Sequence, residues 1–424
     1  MWSIAGKFAK LAERLQALRG DRRGNVLVIV AIGTTSLVGA AGVGVDTVQW
    51  YLWKRQLQQA ADSGAMAGAL SLFQRNSWQQ PSRDEVGRNY TGSYTITALR
   101  NPPTTGAYAG NTGAVEIIAT TSQRLPFSSL FLSAPPTIQV RSVATSVADG
   151  EFCVISLAQS GTGVEVQGSA QVNLGCGTSA NSPDGIAVDL SGSSFLGSNP
   201  ISAVGGIDYA ARNIANGTTM LPYGLPVTDP LASRGLSVPT SPANCTSQSG
   251  RVQPSDNVTL NPGRFCSGMD LKGTVTLNPG VYIIDGNSLA INAGAVVRGE
   301  GVTFVLTGNN ANSIATVSIN GGADVELSAP DDTQDPTWAG ILFYQDPRGD
   351  ATHTINGGAD LDFEGIIYMP TGDISFSGGS TQAAECLLLI AEVVRFTGNS
   401  GLGNDCESHI DTLDTSARIV RVVE

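Results

Sequence analysis

The stretch that decides the topology of this chain is NVLVIVAIGTTSLVGAAGVGV, residues Asn25–Val45. It contains no charged side chain, and it lies between the basic sequence Asp21-Arg22-Arg23-Gly24 and Asp46. About 20 uncharged, mostly apolar residues is the length at which an α-helix crosses the roughly 30 Å hydrocarbon core of a bilayer. We therefore predict a transmembrane helix over residues 25–45, which sets the compartment of everything that follows it.

The charges on the two sides of this span predict its orientation. Residues 1–24 have a net charge of +4 and the whole chain has −12, so the remainder carries −16. Because Lys and Arg stay on the cytoplasmic side, we expect a single-pass inner-membrane protein with a cytoplasmic N-terminus and its bulk in the periplasm or at the cell surface. A cleaved secretory signal is the competing interpretation. The apolar run exceeds an ordinary signal core in length, which favours a retained anchor.

Helical patterns flank the span. Apolar and basic residues alternate at helical spacing over residues 1–24, which predicts an amphipathic basic segment on the cytoplasmic leaflet. A solvated basic tail is the alternative. Residues 46–72 continue the helix outside the membrane, and Trp50, Tyr51 and Trp53 lie where an aromatic belt meets the outer interface.

One face of the predicted helix continuation consists of small residues. Ala60, Gly64 and Gly68 are spaced by four, so they lie on the same side of the helix. Small residues at this spacing let another helix backbone approach closely. Two interpretations stay open at this point: the face receives a partner helix, or it packs against the protein's own domain.

These N-terminal residues also resemble a known family. The pattern begins with Arg22-Arg23-Gly24 and the uncharged span, and it continues with Gly44, Val45, Asp46, Tyr51, Arg55, Leu57, Gln58, Ala60, Ala61 and Asp62. Residues 20–72 resemble the N-terminal region of TadG-like Flp/Tad pilus-assembly proteins. The resemblance implies a membrane helix that runs into an exported, pilin-like domain. It also implies a role in adhesive pilus biogenesis, with Tad/Flp pilus machinery proteins or like helices as partners.

Position 29 departs from the pattern of related pilins. Pilin and pseudopilin segments carry a Glu five residues after the glycine at which they are processed, and Ile29 occupies that position here. A carboxylate inside a membrane normally needs a partner. Without it, the chain lacks the charge that usually sets the register between subunits during assembly. We expect an unprocessed anchor, not a pilin cut after Gly24.

Two further regions follow the helix. Residues 73–150 are predicted to form a small α+β connector, with strands over 113–122 and 137–147 and a short helix over 126–132. Residues 151–415 repeat Thr-Leu-Asn-Pro-Gly at 259 and 276 and Ile-Asn-Gly-Gly-Ala-Asp at 319 and 355. Stacked repeats of short strands predict a right-handed parallel β-helix-like solenoid with an insertion over 192–258. A sandwich or barrel is the alternative, and 416–424 is expected to be a C-terminal tail.

All six cysteines follow the span, which agrees with an oxidising compartment. An even number in an exported segment predicts disulfides, and sequence neighbours lie about 20 residues apart, roughly one solenoid coil. Six cysteines allow 15 pairings, so the pairing stays open. The residues are Cys153, Cys176, Cys245, Cys266, Cys386 and Cys406.

The sequence gives little sign of catalysis. Asp331, Asp332 and Asp335 form the densest acidic group. It is either a turn-forming sequence or a contact for calcium or a surface carbohydrate. The acidic charge of the exported part argues against nucleic acid as a partner, and no cofactor is expected. We predict a non-enzymatic membrane-anchored component of pilus assembly or surface adhesion. The alternative is a membrane-anchored polysaccharide lyase or hydrolase, which needs these carboxylates to converge with Asp346, Arg348 or Asp350 in a groove.

Overall fold

The computed structural model describes residues 24–74, 76–356, 360–377, 383–384, 386–398, 401–404, 413 and 415–424. The amphipathic segment predicted for residues 1–24 therefore lies, except for Gly24, outside the described residues. The chain divides into two compact units. Unit 1 comprises Met1–Val147 with Val420–Glu424, and unit 2 comprises Ala148–Ile419.

Unit 1 combines a long helix with an antiparallel sheet. Its elements are α1 (Gly24–Phe73), α2 (Gln79–Asn89), β1 (Thr95–Arg100), β2 (Ala114–Ser122) and the first part of β3 (Thr137–Ser156). β2 pairs with both β1 and β3. The two predicted strands are present, whereas α2 and β1 were not predicted. The helix expected over 126–132 is only a single 3-10 turn, Ser128–Leu130, because Pro135 and Pro136 follow closely.

Helix α1 is continuous, and it is long and apolar enough to cross a membrane once. Its most apolar 18-residue window is entirely unburied. From Asp46 onwards the helix acquires a buried face, which includes Leu57, Ala61, Ala65 and Ala69. The exposed half and the buried half therefore meet where the sequence predicted that the transmembrane helix ends.

The chain does not end in the tail expected over residues 416–424, because Ser416–Val422 form a strand and Val420–Glu424 belong to unit 1. The Val423 N–H donates to the Val143 carbonyl at 2.8 Å, and the Val143 N–H donates to the Glu424 carbonyl at 2.7 Å. The Glu424 carboxylate also pairs with Arg141, which bonds Glu116 at 2.7 Å. Glu116 is fully buried, so the guanidinium supplies the partner that a buried carboxylate requires.

Unit 2 is built almost entirely from short strands. They continue from β3 as β4 (Val164–Val166), β5 (Gln171–Leu174), β6 (Gly177–Ala180), β7 (Val188–Leu190), β8 (Phe195–Gly197), β9 (Ile201–Ala203), β10 (Ile207–Asp208), β11 (Met220–Leu221), β12 (Arg251–Val252), β13 (Asn257–Leu260), β14 (Gly263–Phe265), β15 (Met269–Leu271), β16 (Thr274–Leu277), β17 (Gly280–Asp285), β18 (Ser288–Ile291), β19 (Val296–Gly299), β20 (Val302–Thr307), β21 (Thr316–Ile319), β22 (Asp324–Ser328), β23 (Ile341–Gln345), β24 (Thr352–Asn356), β25 (Asp360–Ser377), β26 (Ala383–Ala384), β27 (Cys386–Thr397), β28 (Gly401–Asn404) and β29 (Ser416–Val422).

From β12 to β22, each strand pairs in parallel with the strand three places later. The three series are β12–β15–β18–β21–β24, β13–β16–β19–β22 and β14–β17–β20–β23, and the long β25 continues all three. The protein is thus mainly β, with a long apolar N-terminal helix and a large parallel sheet, as predicted. A sandwich would instead pair its strands antiparallel.

The sequence repeats stack on each other in register. Leu260 of the first Thr-Leu-Asn-Pro-Gly copy pairs with Leu277 of the second. Asn292, Asn320 and Asn356 form a ladder, in which each side-chain amide donates to the preceding one at 3.4 and 3.3 Å. A repeated polar side chain can satisfy its neighbour in every rung, so the ladder accounts for the repeated Ile-Asn motif.

Aromatic side chains form a second column in the interior of unit 2. Successive ring centroids are 6.1, 5.5, 5.3 and 5.9 Å apart. This spacing is within the range of favourable aromatic contacts. The column consists of Phe265, Tyr282, Phe304, Phe343 and Phe363.

The order of the strands in space differs from their order in the chain. β27, near the end of unit 2, pairs with β3 and β4, near its beginning. β11 and β12 consequently lie at opposite ends of the series, and residues 222–250 run back along it. Hydrogen bonds to unit 2 hold this return segment: for example, the Tyr368 hydroxyl donates to Asp229 at 2.8 Å, and Arg234 donates to the Ala339 carbonyl at 2.7 Å. The predicted insertion over 192–258 is therefore corrected, because residues 195–221 contribute strands.

Two disulfides hold neighbouring rungs of unit 2. Cys153–Cys176 links β3 to the adjacent β6, with 5.7 Å between the Cα atoms. Cys245–Cys266, with 5.6 Å between the Cα atoms, holds the end of the return segment beside β14. Both join sequence neighbours, as the cysteine spacing suggested. The candidate pair Cys386 and Cys406 cannot be followed, since the side chain of Cys386 and all of Cys406 lie outside the described residues.

The return segment also covers the edge strand β14. The Thr246 N–H donates to the Arg264 carbonyl at 2.7 Å. The Arg264 guanidinium donates to the carbonyls of Pro239 and Pro242, at 2.8 Å in each case. An uncovered edge of this kind would be a template for pairing with another chain. The Cys245–Cys266 disulfide therefore protects the end of the parallel sheet.

We predict that the two disulfides contribute similar stability but protect against different failures. The loops that they close are 23 and 21 residues long, so Cys153→Ser/Cys176→Ser and Cys245→Ser/Cys266→Ser should each lower the free energy of unfolding by about 3 kcal/mol. Only the Cys245→Ser/Cys266→Ser variant should show increased self-association, because only the loss of that disulfide uncovers the β14 edge. Hydrogen exchange and analytical ultracentrifugation of the detergent-solubilised chain would measure both effects. Equal self-association in the two variants would contradict the edge-cover argument.

Candidate functional site

The candidate site is the junction at which α1 passes from its exposed half to its buried half. Before the junction, Leu27 and Leu37 leave 75% and 73% of their surface uncovered. After it, Leu57 and Ala60 are fully buried. A helix that is apolar all round and uncovered by protein is typical of a membrane span.

Asp46 lies at this junction and is 3% exposed. Its carboxylate accepts the Phe127 N–H at 2.9 Å, and it also accepts the N–H and the hydroxyl of Ser128. A buried carboxylate is costly unless donors of this kind satisfy it. The bonds therefore attach residues 127 and 128 to the helix. The family pattern in the sequence includes Asp46, but nothing in the short helix predicted over residues 126–132 indicates that Phe127 and Ser128 are its partners.

The later residues of the family pattern dock α1 onto the sheet. Leu57, Ala60 and Ala61 are fully buried in the core of unit 1. The Gln58 side-chain amide donates to the Arg141 carbonyl of β3 at 2.9 Å and to the Asp62 carboxylate at 2.7 Å. Small and medium side chains allow the helix to approach the sheet, and Gln58 satisfies a backbone acceptor in the contact.

The Ala60, Gly64 and Gly68 face packs against the protein's own domain, which is the second of the two interpretations. A Cβ atom at Gly64 would lie 2.8 Å from the Ser82 carbonyl oxygen of α2 and 2.9 Å from Ile117 Cδ1 of β2. A Cβ atom at Gly68 would overlap the Ser82 side chain. The partner-helix hypothesis for this face is thereby corrected, because α2, which the sequence did not predict, occupies the groove.

The three aromatic residues predicted at the membrane interface, Trp50, Tyr51 and Trp53, differ in burial. Trp50 and Trp53 are partly buried against the core of unit 1, whereas Tyr51 is 58% exposed. The Lys54 ammonium lies 5.5 Å from the centroid of the Trp50 ring, a cation–π contact. Their predicted role as an aromatic belt stays a prediction.

The acidic group at residues 331–335 supports its own turn. Asp331 accepts the Thr333 and Gln334 N–H groups at 2.9 and 2.8 Å. Asp335 accepts the Thr337 N–H at 3.0 Å, and Asp332 is exposed. These are the local bonds with which aspartates initiate turns. Within the described ranges, no group of three or more His, Cys, Asp or Glu residues is arranged to hold a metal ion.

Asp346, one of the three residues with which the enzyme hypothesis would have that group converge, has other partners. It is 2% exposed and accepts bonds from Arg348 Nε at 2.9 Å and from the Thr307 hydroxyl at 2.7 Å. Burial by itself would raise the pKa of Asp346, but the hydrogen bonds from Arg348 and Thr307 bring it below its ordinary value. Asp346 is thus ionised, and it forms a structural ion pair with Arg348.

His353 lies within the same part of unit 2 and is fully buried. Its Nδ1 accepts the Val317 N–H at 3.1 Å, so the proton is on Nε2, which donates to Gln345 Oε1 at 2.7 Å. Gln345 in turn donates to the Gly349 carbonyl at 2.7 Å. The imidazole is a fully bonded, neutral core residue. His409 lies outside the described residues.

Comparison with known families identifies the helix that forms the junction. Residues 24–71 match the family model Tad, described as putative Flp pilus-assembly TadE/G-like. We call this matched region, residues 24–71, the Tad segment. The match confirms the resemblance inferred over residues 20–72 and coincides with α1 almost from end to end. No curated protein and no solved structure matches the chain.

We predict that a branched side chain in the Tad segment is tolerated only where α2 does not cover it. Gly64→Val should lower the free energy of unfolding of unit 1 by about 1–3 kcal/mol through overpacking against Ser82 and Ile117. The matched control is Gly44→Val, since no heavy atom lies within 4 Å of a Cβ at that position. Hydrogen exchange of α2 amides in the detergent-solubilised chain would measure the difference. Equal protection of α2 in both variants would refute the packing assignment.

We also predict a pH dependence of unit 2 that arises from His353. Burial lowers the pKa of His353 to about 4 from an ordinary value of 6.5. Between these values the unfolded chain binds a proton that the folded chain does not, so stability falls as the pH decreases from 6.5 towards 4. The loss approaches about 1.4 kcal/mol per pH unit. Denaturant unfolding at several pH values should show this slope in the wild type and lose it in His353→Gln. An identical slope in both would exclude His353 as its source.

Proposed function

We propose that this protein is a non-enzymatic, single-pass inner-membrane component of Flp/Tad pilus assembly. The observation that carries the proposal is the Tad segment itself: its first half is an uncharged, uncovered helix, and its second half docks on a folded domain. The arrangement suits a permanent anchor that holds an exported domain at the membrane surface. Pilus machinery proteins are its proposed partners.

In this proposal the N-terminus is cytoplasmic and the bulk of the chain is periplasmic or on the cell surface. The net charge of +4 before the span and −16 after it supports that orientation. The disulfides Cys153–Cys176 and Cys245–Cys266 support it independently, since such bonds persist in oxidising compartments.

We further propose that unit 2 is a right-handed parallel β-helix-like solenoid whose lateral surface contacts the pilus or a surface carbohydrate. The pairing of each strand with the strand three places later supports a three-sided coil. Right-handedness follows from the general preference of parallel crossovers. The outward side chains carry ion pairs across rungs, such as Arg298 with Asp324 and Arg395 with Asp373. A polar, charged lateral surface suits a polar partner.

The polysaccharide lyase or hydrolase alternative receives less support. The described bonds of Asp331 and Asp335 stabilise a local turn, while Asp346 bonds Arg348 and Thr307. General acid–base cleavage of a glycosidic bond needs two carboxyl groups that face one substrate. The bonding of these residues favours a structural role.

The proposed function predicts one result for membrane location and one for partners. The full-length chain expressed with the pilus genes should remain in the inner membrane after alkaline carbonate treatment, and its mature N-terminus should precede Gly24. Affinity purification from detergent extracts should recover Tad machinery proteins, as identified by mass spectrometry. A variant with Leu27→Arg and Leu37→Arg is the control, because charges in the span should abolish membrane retention.

Two outcomes would contradict the proposal. A mature chain that begins at Asn25 would indicate peptidase processing and a pilin-like subunit. A chain that carbonate releases, or that recovers no pilus protein above the level of the arginine control, would overturn the anchor assignment.

A further inference from the structure

A second apolar surface lies in unit 1, outside the helix. Residues 125–136, which we call the apolar loop, contain no charged side chain. At its tip Leu130, Phe131 and Leu132 are 74%, 75% and 51% exposed. Single exposed apolar residues are common, but three consecutive ones form a patch that normally has a partner.

The apolar loop is attached to α1 at the junction. The Asp46 carboxylate accepts the Phe127 N–H at 2.9 Å and also bonds Ser128. The Phe127 ring covers Gly42, since a Cβ at that position would overlap the ring. Phe127 also contacts Phe131, with 5.4 Å between the ring centroids. The loop is therefore held beside the helix at the level of residues 42–46.

That level corresponds to the edge of the bilayer. At a rise of 1.5 Å per residue, the helix from Asn25 to Asp46 covers roughly 30 Å, the thickness of the hydrocarbon core. Arg124 precedes the apolar loop and is exposed, so its cation can reach lipid phosphates. The next turns of the helix carry Trp50 and Tyr51, residue types that favour the interface.

We propose that the apolar loop inserts its tip into the outer leaflet of the bilayer that α1 crosses. The loop's exposed apolar surface is then continuous with that of the helix, and lipid covers both. A second contact beside the span fixes the tilt and rotation of the helix, which a single apolar span leaves undetermined. This inference rests on the proposed membrane anchor and adds a lipid-binding surface to it.

The test places a lipid-reactive probe at the tip of the loop. The full-length chain, with p-benzoylphenylalanine in place of Phe131, is reconstituted in phosphatidylethanolamine–phosphatidylglycerol vesicles and irradiated. Mass spectrometry should find lipid adducts at position 131 in a yield on the order of tenfold above that of the same probe at Tyr223, a 77% exposed aromatic residue of unit 2. Adding Leu130→Ser and Leu132→Ser to the position-131 probe should reduce the yield several-fold, because the tip loses its apolar side chains.

The outcomes separate this inference from the proposed function. Release of the chain from the vesicles by alkaline carbonate would overturn the membrane anchor and the inference with it. Retention with lipid adducts no more frequent at 131 than at 223 would overturn the inference alone. So would adducts at 131 that join two protein chains, since the tip would then be a protein contact, and an unchanged yield in the serine variant.

Discussion

The uncharged half of α1 exposes apolar side chains that no other part of unit 1 covers, and the rest of unit 1 packs against the other half of the helix. Side chains such as Leu27 and Leu37 are largely exposed, whereas Asp46 is buried against residues 127 and 128 and Leu57 is buried in the core of unit 1. A carboxylate at this depth would be expensive without donors, and the Phe127 and Ser128 groups supply them. The same bonds that solvate Asp46 fix the apolar loop beside the helix. One charge at the end of the span thus determines the position of a second segment.

Unit 2 follows a different constraint, the need for each rung to match its neighbour. The Asn292, Asn320 and Asn356 ladder repeats one residue at one position of successive rungs. In the same way, Tyr282, Phe304 and Phe343 place aromatic rings at paired positions of successive strands. A side chain of another shape would leave an amide unsatisfied or a gap between rings. Such a stack ends in open edges, and the return segment with Arg264 and the Cys245–Cys266 disulfide covers one of them.

Local patterns in the sequence predicted local structure well. The length of the uncharged run predicted α1, β-branched alternation predicted β2 and β3, and the Ile-Asn repeat predicted which rungs stack. Contacts between distant segments were not predictable in this way. Examples are the packing of α2 over Gly64 and the pairing of β27 with β3. These contacts depend on which surfaces meet in three dimensions, and the spacing of residues along the sequence does not indicate them. The Asp331 turn was ambiguous because turn-forming and ligand-binding aspartates have the same composition.

The two parts of the Tad segment have different surroundings. Before Asp46 its large apolar side chains are exposed, and its positions from Leu57 to Asp62 attach the helix to the sheet. A polymerising pilin needs a free helix surface along much of its length and a charged group that sets the register between subunits. Here α2 and β2 cover the small-residue face, and Ile29 offers no carboxylate within the span. The covered face and the missing charge are independent observations. Both favour a helix that holds one folded domain at a membrane over a helix that packs into a filament.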